Sequence, residues 1–272
     1  FIFMDKKNYS APALDKGLDI LELLAVSSTG LTQAEIADHL NKSVNEIYRM
    51  LNTLKVRNYV EFNSLTDSYK LSYKLLNLSA SFNPTKTLLQ KANPIMREIS
   101  ALIGQSIHLS IYTAGKLLVI AQNDSGSKFN YHVTIGSTFD LLETSSGRVI
   151  LTFQSDQERE RRLLRRKTFL NIEKKSNLPS VKIKELEKKY SKQSIHRIKK
   201  DGCEIVKSLQ IAGIINISFP IFDYSGYAIA ALTSPFLNRL NGNSINIKKA
   251  SIIMSKYSTK LSNELGYEST NK

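Results

Sequence analysis

From residue 14 onward, apolar side chains recur at three- and four-residue steps: Leu14, Leu18, Leu21 and Leu24, with Asp15, Lys16, Asp19 and Glu22 on the other side. This period predicts an amphipathic helix that follows Ala11-Pro12 and ends at Ser27-Ser28-Thr29-Gly30. Thr32-Gln33-Ala34-Glu35 has the form of a capping box, in which hydroxyl and carboxylate each satisfy an orphan N–H, and the helix it opens turns Ile36, Ala37 and Leu40 inward. After Asn41-Lys42-Ser43 a third helix is expected, and its faces separate. At about 100° per residue, Ile47, Met50, Leu51 and Leu54 share one side, and Asn45, Tyr48, Arg49 and Asn52 share the other. Two short β-prone runs, Tyr59 to Phe62 and Tyr69 to Ser72, flank the turn-rich Asn63 to Ser68 and predict a hairpin. Helix, helix-turn-helix and hairpin make a winged helix-turn-helix domain over residues 10–72, with the helix-turn-helix at about 32–51.

A linker helix is expected over 73–85, where Tyr73 to Leu78 is helical in pattern and Asn83-Pro84 breaks it. Leu88, Leu89 and Ala92 resume the helical period, and Pro94 is expected at the start or kink of another helix carrying Ile95, Ile99 and Leu102. From Ser106 the period changes to two, with strands expected at Ile107 to Tyr112 and Leu117 to Ala121 on either side of Ala114-Gly115. A later hairpin joins Ile215 to Phe222 with Gly226 to Thr233 through Asp223-Tyr224-Ser225, and a closing helix runs from about Ser244 to Leu265. An antiparallel sheet with helices gathered around it is an α+β domain, here spanning 86–267.

Composition agrees with two folded domains in 272 residues, 42% of them hydrophobic. No apolar run approaches the ~20 residues of a membrane helix. The apolar part of Phe-Ile-Phe-Met is short for a signal peptide, Met4 is the expected start, and a cytoplasmic location is expected. A single cysteine, Cys203, leaves no intramolecular disulfide, and His39, His108, His132 and His196 are scattered without zinc-ligand spacing, so no metal or cofactor is expected. The net charge of +14 is unevenly placed: residues 1–80 hold nine Lys/Arg against nine Asp/Glu, while residues 159–200 hold 16 against 4. If the first 80 residues bind DNA, bulk charge is not the reason. The basic stretch is interleaved with Leu163, Leu164, Leu170, Leu186 and Ile195, which reads as helices with solvated faces or as an auxiliary phosphate-contacting surface.

The polar side of the third helix carries the chemistry of base reading, because Asn pairs bidentately with adenine, Arg with guanine, and either holds a phosphate. The candidate DNA contacts are Thr32, Gln33, Lys42, Ser43, Asn45, Glu46, Tyr48, Arg49, Asn52 and, on the wing, Lys70. Glu46 either accepts from cytosine N4 or serves only as a first-turn carboxylate favoured by the helix dipole. Ala13-Leu14-Asp15-Lys16-Gly17-Leu18-Asp19-Ile20-Leu21-Glu22, then Glu46-Ile47-Tyr48-Arg49-Met50-Leu51-Asn52-Thr53-Leu54 closing on Asn58-Tyr59-Val60 and Tyr69-Lys70-Leu71, resembles the opening, recognition helix and wing of the IclR family of bacterial transcription regulators. Asn58 stands in place of that family's usual Gly. The likeness extends through Leu141 to Leu151 and Gly213 to Asp223, and so covers about residues 10–265.

The resemblance implies that the second domain is a GAF-like fold that senses a small molecule. Ser145, Ser146 and Gly147 open a predicted helix, where free N–H groups and the dipole suit a carboxylate. Asn216 and Ser218 alternate on one strand and share a face, and Thr233 or Ser234 on the partner strand joins them. Such a set suits a small organic acid or sugar acid; each residue alternatively caps its helix or satisfies buried backbone. Asn216 replaces a Cys common in relatives, and His108 reads as packing. Cys203 is either a thiol activated by nearby cations or a small buried strand residue.

No nucleophile with its base, paired carboxylates, phosphate loop or metal set is evident, so an enzyme is not expected. The expected function is a DNA-binding regulator, a repressor in most of the family, that works as a homodimer or dimer of dimers on a pseudo-palindromic double-stranded operator and responds to a carboxylate effector. The alternative is a winged-helix protein whose second domain mediates assembly without a ligand.

Overall fold

Both capping boxes of the first domain sit where a helix begins. In the computed structural model, which describes residues 11–81, 85–128, 130–172, 185–188, 190–238 and 245–268, the Thr32 hydroxyl accepts from the Glu35 N–H while the Glu35 carboxylate accepts from the Thr32 N–H. Ser43 and Glu46 repeat the arrangement. These fix α2 (Gln33–His39) and α3 (Val44–Val56) behind α1 (Pro12–Val26) and the two-residue β1 (Leu31–Thr32). Asn41 between α2 and α3 and Asn58 after α3 have φ of 52° and 59°, left-handed conformations that Asn tolerates better than other side chains bar Gly. That conformation suits Asn58 to the position where the resemblance implies a Gly.

The wing is β2 (Val60–Asn63) and β3 (Ser68–Leu71), antiparallel with Val60 opposite Leu71, and β1 adds to the free edge of β3 in the order β1-β3-β2. Ile20, Leu24, Ile36, Ala37, Ile47, Leu51 and Val60 form the core. The expected stripe on α1 is corrected here: Leu14 and Leu18 are exposed, and Ile20 and Leu24 face inward. An i, i+4 pair in the second half of α1 suffices to meet α3 and β3. A short α4 (Lys74–Ser81) follows, its Lys74 ammonium bonded to the Arg57 carbonyl at 2.9 Å; the rest of the expected linker includes residues 82–84, outside the described ones. The chain divides into two compact units, residues 1–84 and 85–272.

The second unit holds α5 (Lys86–Ile103), β4 (Ile107–Thr113), β5 (Lys116–Asn123), β6 (Thr138–Asp140), α6 (Ser145–Thr152), α7 (Asp156–Ile172), α8 (Lys192–Asp201), β7 (Glu204–Lys207), β8 (Ile214–Phe222), β9 (Ala228–Leu237) and α9 (Ile247–Glu264). Pro94 neither starts nor ends a helix: α5 runs through it, with the proline on its exposed side, where water can take the carbonyl that lost its donor. The sheet is antiparallel in the order β6-β5-β4-β9-β8-β7, so the pairing of β4 with β9 joins an early hairpin to a late one. One face packs against α5 and α9 through Ile99, Ile103, Leu109, Leu232, Met254 and Leu261. The other carries α6, α8 and a smaller core around Leu141, Val149, Ile150 and Ile198. The sheet with helices on both faces is the expected α+β arrangement, and no described helix is long and apolar enough to cross a membrane.

The basic stretch is not uniformly solvated. Arg161 and Arg162 pair with Glu158 within α7, but Arg166 is 1% exposed and bonds Asp140 at 2.8 Å. Residues 173–184 and 189 of that stretch lie outside the described residues.

Candidate nucleic-acid interface and ligand pocket

On α3 the polar side chains Asn45, Tyr48, Arg49 and Asn52 are all exposed, while Ile47 and Leu51 are fully buried on the opposite side. The exposed side of α3 thus offers amides, a phenol and a guanidinium. Four other candidate contacts are already employed. Thr32 and Ser43 cap their helices, and Gln33 donates from Nε2 to the Val44 carbonyl at 2.9 Å, bracing α2 against α3. Glu46 completes its capping box and takes the Lys16 ammonium at 2.5 Å. The Lys16 bond, with the Ser43 N–H, holds this carboxyl at about 2. Of the two readings of Glu46, the structure favours the first-turn carboxylate over the base contact. The Lys16 link between α1 and α3 has no local sequence signal. Lys42 is exposed, and Lys70 pairs with Glu61 across the wing at 3.2 Å. Lys55 lies over the Phe62 ring at 4.8 Å, fastening α3 to the wing.

In the second unit the helix expected to open at Ser145 does so, capped by Thr144, whose hydroxyl accepts the Gly147 N–H at 3.1 Å. This corrects the reading of Gly147: its N–H is spent, it does not line the cavity, and its role is steric. A Cβ there would collide with the Leu141 carbonyl. The N–H groups of Ser145 and Ser146, by contrast, belong to the first turn, where no intrahelical acceptor exists.

The hydroxyls of α6 meet the sheet in a chain. Ser145 Oγ lies 2.7 Å from Ser218 Oγ, Ser218 Oγ lies 2.8 Å from Thr233 Oγ1, and Thr233 Oγ1 lies 2.8 Å from Ser146 Oγ. Ser218 faces Thr233 across β8 and β9, and Asn216 faces Pro235 on the same side of the sheet. Ser234 points to the other side. Above this chain lies a cavity of about 40 Å³ bordered by Ser145, Ser146, Asn216, Thr233 and also by His108, Tyr131 and Gln210. Ser218 is below it, a structural link rather than a wall. Of the six expected effector contacts, the geometry thus gathers Ser145, Ser146, Asn216 and Thr233 and leaves Gly147 and Ser218 out.

His108 is a wall residue that sequence reasoning set aside as packing. It sits opposite Thr233 on β4, buried, and its Nδ1 has no partner among the described residues. Burial alone depresses it to about 4, so the imidazole is neutral near pH 7. A second buried group without a sequence signal is Arg148, which donates from Nε to Glu204 at 2.9 Å and from Nη1 to the Leu142 carbonyl at 2.7 Å, tying α6 to β7. Burial raises the Glu204 carboxyl, and Arg148 opposes it. Cys203 is half-buried just before β7 rather than in a strand, and burial pushes its thiol up to about 11, away from the activated reading. Among the described residues, no group of His, Cys, Asp and Glu could hold a metal ion.

Comparison with known proteins places this geometry. Residues 84–262 match the bacterial transcriptional regulator IclR C-terminal domain, and residues 13–64 match the IclR helix-turn-helix domain. The transcriptional regulator BhcR of Paracoccus denitrificans is 26% identical over 223 residues, covering 81% of this chain and 76% of that protein. The transcriptional repressor AllR of Salmonella typhi is 22% identical over 227 residues, covering 82% and 79%. An IclR homolog of Microbacterium hydrocarbonoxydans, solved in complex with 4-hydroxybenzoate, superposes with a TM-score of 0.69 at 16% identity, over 93% of this chain and 98% of that one. With both domain models matched in order and the polar face of α3 exposed as a DNA reader requires, the chain belongs to the IclR family and is a DNA-binding transcriptional regulator, not an enzyme.

Proposed function

We propose that the protein represses transcription by occupying a pseudo-palindromic operator as a dimer, presenting two copies of α3 to successive major grooves, and that a small organic or sugar acid bound beneath α6 sets its operator affinity. The observation that carries the sensing half is the convergence of the first turn of α6 with Asn216, Thr233 and the unpartnered His108 on one cavity. Among the described residues no lysine or arginine borders it. Recognition of an acid there rests on the helix dipole, the two first-turn N–H groups and hydroxyls, which suit a single carboxylate. Neutral His108 supplies one more polar atom for a hydroxyl or carbonyl of the ligand. A volume of about 40 Å³ holds only a few waters, at roughly 10–15 Å³ each, so a ring-sized acid enters only with outward movement of the wall at Tyr131 and Gln210. That movement is the differential between ligand-bound and ligand-free states that linkage requires. A relative named as a repressor and a family structure holding 4-hydroxybenzoate support both halves of the reading.

The test is binding of the purified chain to sheared fragments of its own genome at stated, near-physiological salt, with the retained fragments sequenced. A few sites sharing an inverted repeat are expected; uniform recovery contradicts sequence reading. Genes beside those sites narrow the acids to try. An effector is expected to raise the melting temperature of the wild type and to lose that effect in Ser146→Ala and Asn216→Ala.

A further inference from the structure

We infer that the second unit carries another small-molecule site, for a compact carboxylate with an apolar tail, anchored on the buried guanidinium of Arg166 and separate from the cavity beneath α6. Three observations converge on it. Arg166 is 1% exposed, donates from Nε to Asp140 at 2.8 Å and from Nη1 to Glu187 at 3.5 Å, and its buried Nη2 has no acceptor among the described residues. A charged donor withdrawn from water and left unfilled is among the costlier defects a fold carries, so such a group is normally completed by water or by a ligand. Arg166 is also among the residues that border a cavity of about 240 Å³, six times the volume of the one beneath α6.

The remaining walls choose the ligand. Phe139, Phe169 and Leu170 are apolar, and the Lys116 ammonium lies 3.9 Å from the Phe169 ring centroid, a second cation on the same rim. An oxygen acceptor on Arg166 with a hydrocarbon body against these side chains satisfies both. Inorganic phosphate would satisfy only the first, and would leave the apolar walls facing water. Acidic neighbours are present too: Asp140 and Glu143 border the cavity, so selectivity falls to a single carboxylate rather than a polyanion. Phe139 borders both this cavity and the one beneath α6. The two sites are thus neighbours with different anchors: a guanidinium here, a helix start and hydroxyls there.

The experiment is calorimetric titration of the full chain with 4-bromobenzoate, paired with a crystal structure of that complex in which bromine is located by its anomalous signal. Sodium phosphate serves as the second probe. Bromine beside Arg166, Kd in the range of about 0.1–1 mM and no heat from phosphate are expected. Because Arg166 also bridges two carboxylates and its variants can misfold, the deciding variant is Thr138→Phe. It fills the cavity from an exposed strand position and leaves the guanidinium untouched. It is expected to weaken binding at least tenfold, while Ser146→Ala leaves the Arg166 site unchanged. A bromine peak only beneath α6, only ordered water at Nη2, equal binding of phosphate, or undiminished binding in Thr138→Phe each overturns the proposal. A bromine peak only beneath α6 overturns this proposal while supporting the effector reading of that cavity, and the other outcomes leave that reading untouched, so the two fail separately.

Discussion

Ser218 Oγ stands 2.7 Å from Ser145 Oγ and 2.8 Å from Thr233 Oγ1, so one fully buried hydroxyl fastens the start of α6 to two adjacent strands. It does so without bordering the cavity. Removing it leaves the Ser145 hydroxyl without this partner and Thr233 with one fewer. Ser218→Ala is therefore expected to lower stability of the second unit by about 1–3 kcal/mol in urea unfolding, with effector-induced stabilisation surviving. Loss of the effector response at unchanged stability would instead make Ser218 a ligand contact.

Gly147 makes a sharper prediction because its constraint is steric. With the Leu141 carbonyl against the position of a missing Cβ, Gly147→Ala forces apart the turn at 141–144 and the helix it opens. The helix propensity gained, about 1 kcal/mol, is smaller than the overpacking cost of about 1–3 kcal/mol or more, since backbone rather than a flexible side chain must yield. Net destabilisation is expected, measured by the same unfolding experiment. A stabilised alanine variant would show that the turn relaxes freely.

Most of the first domain was legible because its signals are local. Thr32 with Glu35 and Ser43 with Glu46 declare helix starts within four residues, and the two faces of α3 follow from its period alone. What stayed hidden depends on partners distant in sequence. Leu14 and Leu18 share the period of Leu24, yet only tertiary packing reveals that Ile20 is the inward residue. Lys16 finds Glu46 thirty positions away, and Ser145 finds Ser218 seventy-three away. Ser145, Ser146, Asn216 and Thr233 were nameable as polar residues at a helix start and on alternate strand positions. Which of the six candidates faced the cavity and which lay beneath it was set by the register of β8 against β9. His108 and Arg166 were invisible for a related reason: a lone histidine and one arginine in a basic run give no sign of full burial.

Acidification is expected to weaken the second unit through His108. Burial sets its folded value at about 4 against an ordinary 6.5, so between these pH values the unfolded chain binds a proton that the folded chain refuses. Stability from this group is fully present above about pH 6.5 and is lost as pH falls toward 4, by about 3 kcal/mol in all. His108→Gln removes that dependence, and the difference between variant and wild type across this range is the measurement. Identical pH slopes would mean that water reaches the imidazole.

Glu46 predicts a lower window of the same sign in the first domain. Its carboxyl is held at about 2 rather than 4.5, first by Lys16 and then by the Ser43 N–H. A lowered carboxyl value means that the folded state prefers the charged form. The stabilisation is present above about pH 4.5 and lost as pH falls toward 2. Glu46→Gln and Lys16→Met are each expected to flatten this acid limb in thermal unfolding, and added salt to shrink the difference, since the pair is partly exposed. Non-additive effects in the double variant would show that the ion pair, not the cap alone, carries the shift.

Arg49 and Lys42 are expected to separate sequence reading from backbone attraction. Arg49 projects from the exposed face of α3 with Asn45 and Asn52, whereas Lys42 stands in the turn before it. If α3 lies in the major groove, Arg49→Ala removes a base contact and costs about 1–3 kcal/mol at the operator, with little change on unrelated DNA. Lys42→Ala removes a phosphate contact. It weakens operator and unrelated DNA alike and lowers the slope of log affinity against log salt by about 1 per protomer. The first unit has no net charge to supply a large nonspecific background, so the two signatures are separable in fluorescence anisotropy titrations at several salt concentrations. Asn45→Ala is expected to follow Arg49, because it lies one turn earlier on the same face. Should Arg49→Ala bind operator and unrelated DNA with equal loss, the guanidinium holds phosphate, and base reading falls to Asn45, Tyr48 and Asn52.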